Sequence, residues 1–251
     1  MYVHHTSDWH IGKSPSEARN ARQLVKGLSL RPGIEHDVLV ISGDVTEDGQ
    51  AKQWQEVEEI LAPLYGKLPH LIVPGNHDCG MHGITYELGR VTRTRNAIRK
   101  LSPLPDLDVA GLLVWQIGAW RFVGLDSQRG NEDSFLPPLA RGEIGAAQLA
   151  ALEVVLHDDI PTLVILHHHP IWPEPAHVLT DAAKLKQILG RRACVRGVLY
   201  GHQHVEALSC DEGGCQWLAS GKTTDLVDGR IAWRTYELET GRVQTCTIPA
   251  P

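Results

Sequence analysis

The sequence predicts an α/β protein in which two mixed β-sheets pack face to face with helices outside them, four layers in all. Three observations carry this expectation. Segments of β and α character alternate over the first two-thirds of the 251 residues, and β-rich segments with glycine turns close the chain. Val38-Leu39-Val40-Ile41 and Leu71-Ile72-Val73 are continuous apolar runs, the pattern of strands buried on both faces. No internal repeat, low-complexity tract or Pro/Ser linker divides the chain, so one domain over 1–251 is expected, with a candidate lid at about 80–110.

The elements follow in order. Tyr2 to Thr6 is a short β-favouring run ending at Ser7-Asp8. Ser16 to Leu28 carries a serine cap signal and mixed charge, which predicts a surface helix. After the strand at 38–41, Trp54, Val57, Ile60 and Leu61 have helical spacing within Gln53 to Leu64. Pro74-Gly75 stops the strand at 71–73. Ile84 to Leu101 reads as a basic helix with Arg90, Arg93, Arg95, Arg99 and Lys100. Leu112 to Ile117 and Trp120 to Leu125 flank Gly118-Ala119 as a hairpin. Ala146 to His157 and Asp181 to Leu189 are helical, and Thr162 to Leu166 and Val195 to Tyr200 are buried strands. From Val205 onward strands and glycine turns alternate.

Composition narrows the class. A hydrophobic fraction of 42% and a charged fraction of 22% suit a globular enzyme. Net charge of −6 argues against holding duplex nucleic acid, which needs a basic surface. No apolar run approaches the roughly 20 residues that span a bilayer, and no secretory pattern opens the chain, so a cytoplasmic location is expected. Five cysteines fit a reducing compartment. Cys210 and Cys215 flank Asp-Glu-Gly-Gly, the pattern of a hairpin turn, where free thiols are favoured over half of a zinc site.

The 14 histidines matter by position. Asp8-Trp9-His10, Gly43-Asp44, Gly75-Asn76-His77-Asp78, His167-His168-His169-Pro170 and Gly201-His202-Gln203-His204 each follow a predicted strand. In open α/β sheets, ligands gather beyond the carboxyl ends of strands. In extended backbone, residues i and i+2 project to one side, so Asp8 with His10, and His202 with His204, can converge. Gly43, Gly75 and Gly201 each precede a candidate ligand, where a missing Cβ permits a tight turn beside an ion. Any one cluster arises by chance; the whole ordered series does not.

This series resembles the calcineurin-like metallophosphoesterases, over Asp8 to His204 and with no element of the pattern missing. The resemblance implies a metallophosphoesterase sandwich with two metal ions: Asp8, His10 and His204 on one, Asn76, His168 and His202 on the other, and Asp44 bridging both. The family's usual His-x-Pro selects His168 within the triple histidine. His169 then faces substrate, and His167 packs behind. Oxygen and imidazole donors without thiolate favour manganese, iron, cobalt or zinc. Two such ions about 3.5–4 Å apart share a hydroxide and clamp the phosphoryl oxygens for in-line attack. By the same resemblance, Asp44, His77 and Asp78 are the catalytic set, His77 protonating the leaving oxygen with Asp78 orienting it.

Departures choose a branch. Gly43-Asp44-Val45-Thr46-Glu47-Asp48-Gly49 matches neither the Ser/Thr protein phosphatases nor the purple acid phosphatases, which have tyrosine where Glu47 stands. His5 to Lys13 resembles the nuclease subunit of double-strand-break repair complexes. Asp37 to Leu64 and Arg141 to Leu156 look more like class III cyclic-nucleotide phosphodiesterases and glycerophosphodiesterases, which implies a small phosphodiester substrate. The alternatives are a DNA nuclease and a metal-free scaffold of the same fold. Trp172, after the triple histidine, either walls the substrate pocket or packs. The basic run at 90–100 either meets an anionic substrate or is a solvated face.

Overall fold

The computed structural model describes residues 1–128, 140–171 and 177–251. Two mixed sheets form, as expected. In the first, β1 (Tyr2–Thr6), β2 (Val38–Ile41) and β3 (His70–Ile72) run parallel. β12 (Arg230–Glu237) joins β1 antiparallel, and β11 (Leu226–Val227) and β13 (Val243–Pro249) pair with β12. Among the described residues, the second sheet has seven strands in the order β4-β5-β6-β7-β8-β10-β9. These are β4 (Leu107–Val109), β5 (Leu112–Ile117), β6 (Trp120–Gly124), β7 (Thr162–Ile165), β8 (Val195–Tyr200), β9 (Ala207–Cys210) and β10 (Gln216–Ala219). Its centre, β6-β7-β8-β10, is parallel.

Side-chain alternation makes the layers. Phe122, Leu163, Ile165, Leu199 and Leu218 point from the second sheet into a core shared with the first, which includes Val3, Leu39, Trp115 and Trp233. Their neighbours Val123, Val164, Leu166, Val198 and Tyr200 point the other way, into a second core under α5 (Ala146–Val155) and α6 (Ala182–Leu189). The first sheet is covered by α1 (Pro15–Ser29) and α2 (Ala51–Leu61), through Leu24, Leu28, Val57 and Leu61. The short α3 (Asn76–Cys79) leads to α4 (Leu88–Leu101).

Helix ends differ from expectation for local reasons. Ser14, not Ser16, caps α1: its Oγ accepts the backbone N–H of Ser16, and Pro15 opens the helix. α2 gives way at Ala62 to a tighter turn containing Pro63, which has no N–H to continue the α ladder. The basic residues of α4 are engaged: Arg90 with Glu87, Arg95 with Asp126, Arg99 with Asp108, Lys100 with Glu58, and Arg93 with the Gly49 carbonyl. Val91, Thr94, Ile98 and Leu101 of the same helix are buried.

Cys210 and Gln216 are partners across the β9–β10 hairpin, so Cys215 projects to the opposite face, into the core with Trp217. Both thiols are free. No helix among the described residues is long and apolar enough to cross a membrane.

Candidate metal centre

The parallel strands of both sheets deliver their following loops to one place. Asp8 and His10 follow β1, Asp44 follows β2, Asn76 and His77 follow β3, His167 follows β7, and His202 and His204 follow β8. The loops are laced together by the Asp8 N–H to the Gly43 carbonyl (3.0 Å), His10 N–H to Asp44 (2.9 Å) and Gly201 N–H to His167 (3.0 Å). A Cβ on Gly75 would collide with Asp44, and one on Gly201 with Ser7 and Asp8, so both glycines are there for close approach.

Asp8, His10, Asp44, His202 and His204 all have positive φ, five of the nine described non-glycine residues that do. That conformation costs roughly 1–3 kcal/mol for a residue with a Cβ and persists where surrounding structure imposes it. Here the inter-loop hydrogen bonds impose it, and the strain concentrates at the donor residues.

Among the described residues, three groups of donor atoms lie close enough to share an ion: Asp8-His10-His204, Asp44-His167-His202 and His10-Glu47-His77. In the first, His10 Nε2 lies 3.1 Å from His204 Nε2, and Asp8 Oδ1 lies 3.3 Å from His204 Nε2. In the second, His167 Nε2 lies 3.2 Å from Asp44 Oδ2 and 3.0 Å from Asn76 Oδ1, and His202 Nδ1 lies 3.0 Å from the same amide oxygen. Asp44 stands between the two groups, its Oδ2 3.9 Å from His10 Nε2.

The donor set fits divalent cations. Ring nitrogens face one another at 3.1 Å (His10 and His204) and 3.2 Å (His167 and His202), where at most one of each pair can donate a proton. Asp8 Oδ1 and His202 Nε2 are buried with no hydrogen-bond partner among the described residues, although Asp8 Oδ1 keeps its ion-pair contact with His204. Burial drives the His202 pKa down to about 3, leaving a neutral ring with an available lone pair. Burial also opposes charge on His167, yet Asp44 and Asp8 push its pKa up to about 9, the mark of a place where carboxylates demand a positive charge. Burial works against the Asp44 carboxylate too, but His167 and His77 hold its pKa well below the ordinary value.

Three expectations are corrected. The His-x-Pro spacing selects His168, but the structure brings His167 to Asp44, Asn76 and His202. His168 turns its Nδ1 to Ser127 Oγ at 2.7 Å and its Nε2 to Gln128 at 3.1 Å. The reason is alternation: His167 keeps the parity of Leu163 and Ile165, whose side chains face the first sheet. His169, expected to face substrate, packs edge-on against Tyr200 at 4.5 Å, on the side of the outer core. Asp78, expected to orient His77, instead accepts the N–H groups of Gly75, Val45 and Thr46 and the Thr46 hydroxyl, fastening the loops after β2 and β3. His77 Nδ1 bonds the carbonyl of Glu47 (3.0 Å), and its backbone N–H donates to Asp44 Oδ1 (2.9 Å). Trp172 lies outside the described residues.

Glu47 and His177 are additions. Glu47 Oε2 lies 2.8 Å from His10 Nδ1, fixing the ring that turns Nε2 to the centre. His177 stands 5.8 Å from the ring of His202. Glu47 was visible in the sequence only as the residue standing where another branch has tyrosine, and no spacing marks His177.

The profile of the calcineurin-like phosphoesterase family matches residues 1–206. The chain belongs to that family. Among curated relatives of this calcineurin-like phosphoesterase, a probable cyclic nucleotide phosphodiesterase of Synechococcus is 29% identical over 81% of this chain and 72% of its own length. The 3′,5′-cyclic adenosine monophosphate phosphodiesterase CpdA of Vibrio vulnificus is 28% identical over 68% of this chain and 56% of its own. The glycerophosphodiester phosphodiesterase GpdQ of Enterobacter lignolyticus is 28% identical over 81% and 71%. The chain thus matches little more than half of the Vibrio protein's length. A dimetal phosphatase from Danio rerio shares the fold, with a TM-score of 0.71, 18% identity and coverage of 100% and 99%. Family membership agrees with the metal-dependent phosphoric ester hydrolase that the motif series implied.

Proposed function

We propose that this chain hydrolyses small phosphodiesters at a centre of two divalent metal ions. The observation that carries the reading is the pair of donor groups meeting at Asp44: Asp8, His10 and His204 on one side, Asn76, His167 and His202 on the other. Those residues would hold the ions, with His167 in the place expected of His168. Bound there, such ions supply Lewis acidity towards phosphoryl oxygens and a nucleophile at neutral pH, and manganese, iron, cobalt and zinc all suit the donor set.

The protein's own part is positioning. The Glu47 carbonyl and the Asp44 carboxylate hold His77 by ring and backbone, which leaves its Nε2 to give a proton to the departing ester oxygen. Asp78 keeps the loops carrying Asp44 and Asn76 in register. A diester is favoured over a monoester by the likeness to the Synechococcus, Vibrio and Enterobacter enzymes and by the absence of protein-phosphatase and purple-phosphatase signatures from the sequence. A role on chromosomal DNA gains nothing from α4, whose cations are already engaged.

The deciding measurement compares kcat/KM for bis(p-nitrophenyl) phosphate, p-nitrophenyl phosphate, cyclic AMP and linear DNA, with manganese present. Preference for the synthetic diester is expected. A marked preference for the monoester overturns the reading, and efficient cleavage of DNA replaces it with the nuclease.

A further inference from the structure

Beside the metal centre lies a cavity of about 490 Å³, bounded by Gly12, Lys13, Ser14, Asp48, Lys52 and Gln53. It is joined to the centre through the chain itself. Gly12 and Lys13 follow His10 directly, and Asp48 follows Glu47, which bonds the His10 ring. The Lys13 N–H donates to the His10 carbonyl at 3.0 Å, and the Glu47 N–H to the Ile11 carbonyl at 3.0 Å, so the two walls are tied to each other.

The walls present donors. α1 and α2 both begin here, at Ser14-Pro15 and Gln50-Ala51, and helix starts favour negative charge. Gln53 is 8% exposed, and its orientation is fixed because Oε1 accepts the N–H groups of Asp48 (3.0 Å) and Gln50 (3.2 Å). Its amide nitrogen is left on the cavity side with no hydrogen-bond partner among the described residues. Gly12, at φ +105°, makes the room, since a Cβ there would collide with that amide. Among the described residues, Lys13 and Lys52 have no hydrogen bond from their ammonium groups and no ion pair.

The acidic groups of the cavity are committed elsewhere. Glu56 pairs with Arg22 at 3.0 Å. Asp48 accepts from the Gln50 amide (3.3 Å) and the His82 N–H (3.2 Å), with Arg90 at 3.9 Å. What remains is two ammonium groups and the amide nitrogen of the Gln53 side chain, each with hydrogens left to give to an acceptor.

We propose that this cavity binds a phosphate carried on one arm of the substrate, and so selects phosphodiesters that bear a second phosphate. The selection rests on the phosphodiesterase reading above; the anion site itself does not.

Two measurements separate them. In the first, inorganic phosphate is titrated into ¹⁵N-labelled, zinc-reconstituted protein while the side-chain amide of Gln53 is followed by NMR. A saturable shift is expected, with affinity weakened about tenfold or more in the Lys13→Ala/Lys52→Ala variant, the scale of one lost charge-assisted hydrogen bond. In the second, kcat/KM is compared for thymidine 5′-(p-nitrophenyl phosphate) and its 3′-phosphorylated counterpart, which share the scissile ester. The wild type should favour the second about tenfold, again the scale of one such bond, and the double variant should bring the ratio near one.

A Gln53 amide that ignores phosphate, or responds identically in wild type and variant, overturns the anion site even when both esters are cut. A lysine-dependent shift with an unchanged ester ratio overturns the assignment to a substrate arm. If neither ester is hydrolysed while the lysine-dependent shift persists, the phosphodiesterase reading fails and the anion site stands.

Discussion

His167 Nε2 lies 3.2 Å from Asp44 Oδ2, across the junction between the two sheets. The contact joins a loop after β7 to a loop after β2, and it places the first histidine of the triple run where the second was expected. His167 Nδ1 lies 2.8 Å from the Ser42 carbonyl oxygen, which it meets as a donor, and this orients the ring so that Nε2 faces Asp44, Asn76 and His202.

His167→Ala is therefore expected to lose one of two metal equivalents, measured by elemental analysis after desalting from excess manganese. The affinity cost should exceed the roughly 10–100-fold typical of a residue that only supports a ligand. His168→Ala should retain both equivalents. The opposite pattern would return the ligand role to His168.

His77→Ala is expected to keep its metals and lose about 10²–10⁴-fold in kcat, the range for a positioned acid. The ring is held by a backbone carbonyl, so Glu47→Gln should leave that tether and disturb chiefly His10. Loss of metal from His77→Ala would make this residue a ligand through the His10-Glu47-His77 group.

Asp78→Ala removes the acceptor of three backbone N–H groups and one hydroxyl in a fully buried position. Leaving buried donors unpaired costs about 1–3 kcal/mol each, so a clear fall in the thermal midpoint is expected along with impaired metal binding. Unchanged stability with normal metal content would show that the loops hold their register without it.

Asp37 governs a pH effect far from the centre. Burial disfavours its charge, but the hydrogen bonds from His4 (3.2 Å) and the Tyr2 N–H (2.7 Å) outweigh that and lower its pKa. A carboxylate whose pKa is lower folded than unfolded stabilises the protein above its unfolded value and loses that contribution as pH falls through the folded value. Urea midpoints should thus decline below about pH 4, the ordinary carboxylate range. Asp37→Asn should be less stable at neutral pH and should flatten the acid limb. An acid limb identical to that of the wild type would refute the assignment.

Cys210 should alkylate readily while Cys215 resists, read by peptide mass mapping. Burial pushes the Cys215 thiol up to about 12, and the two side chains leave opposite faces of the hairpin. A Cys210–Cys215 disulfide formed without denaturation would contradict that register.

Much of the fold and the outline of the centre were legible before any coordinates. The strands at 2–6, 38–41, 112–117 and 195–200 stand where the β-favouring runs put them, because runs this short that end at turn residues suit strands better than helices. Asp8, His10, Asp44, Asn76, His202 and His204 meet as their positions after strands implied, since parallel strands deliver their carboxyl ends to one edge. The sequence also carried the donor types expected at these positions: imidazole, carboxylate and amide, with no thiolate.

What only the tertiary structure decided was which way particular side chains face. Leu163 to Leu166 is apolar throughout because β7 is buried on both sides, so no alternation with polar residues marks its parity and the inward histidine cannot be told from its neighbours. The same holds for Asp78. The family resemblance implied His77 as its partner and the packed loops supplied Gly75, Val45 and Thr46 instead, because hydrogen bonds between segments 32 residues apart depend on how loops stack rather than on local pattern. Periodicity carries direction only where one face meets water; at a centre closed on every side, the neighbouring strands choose it.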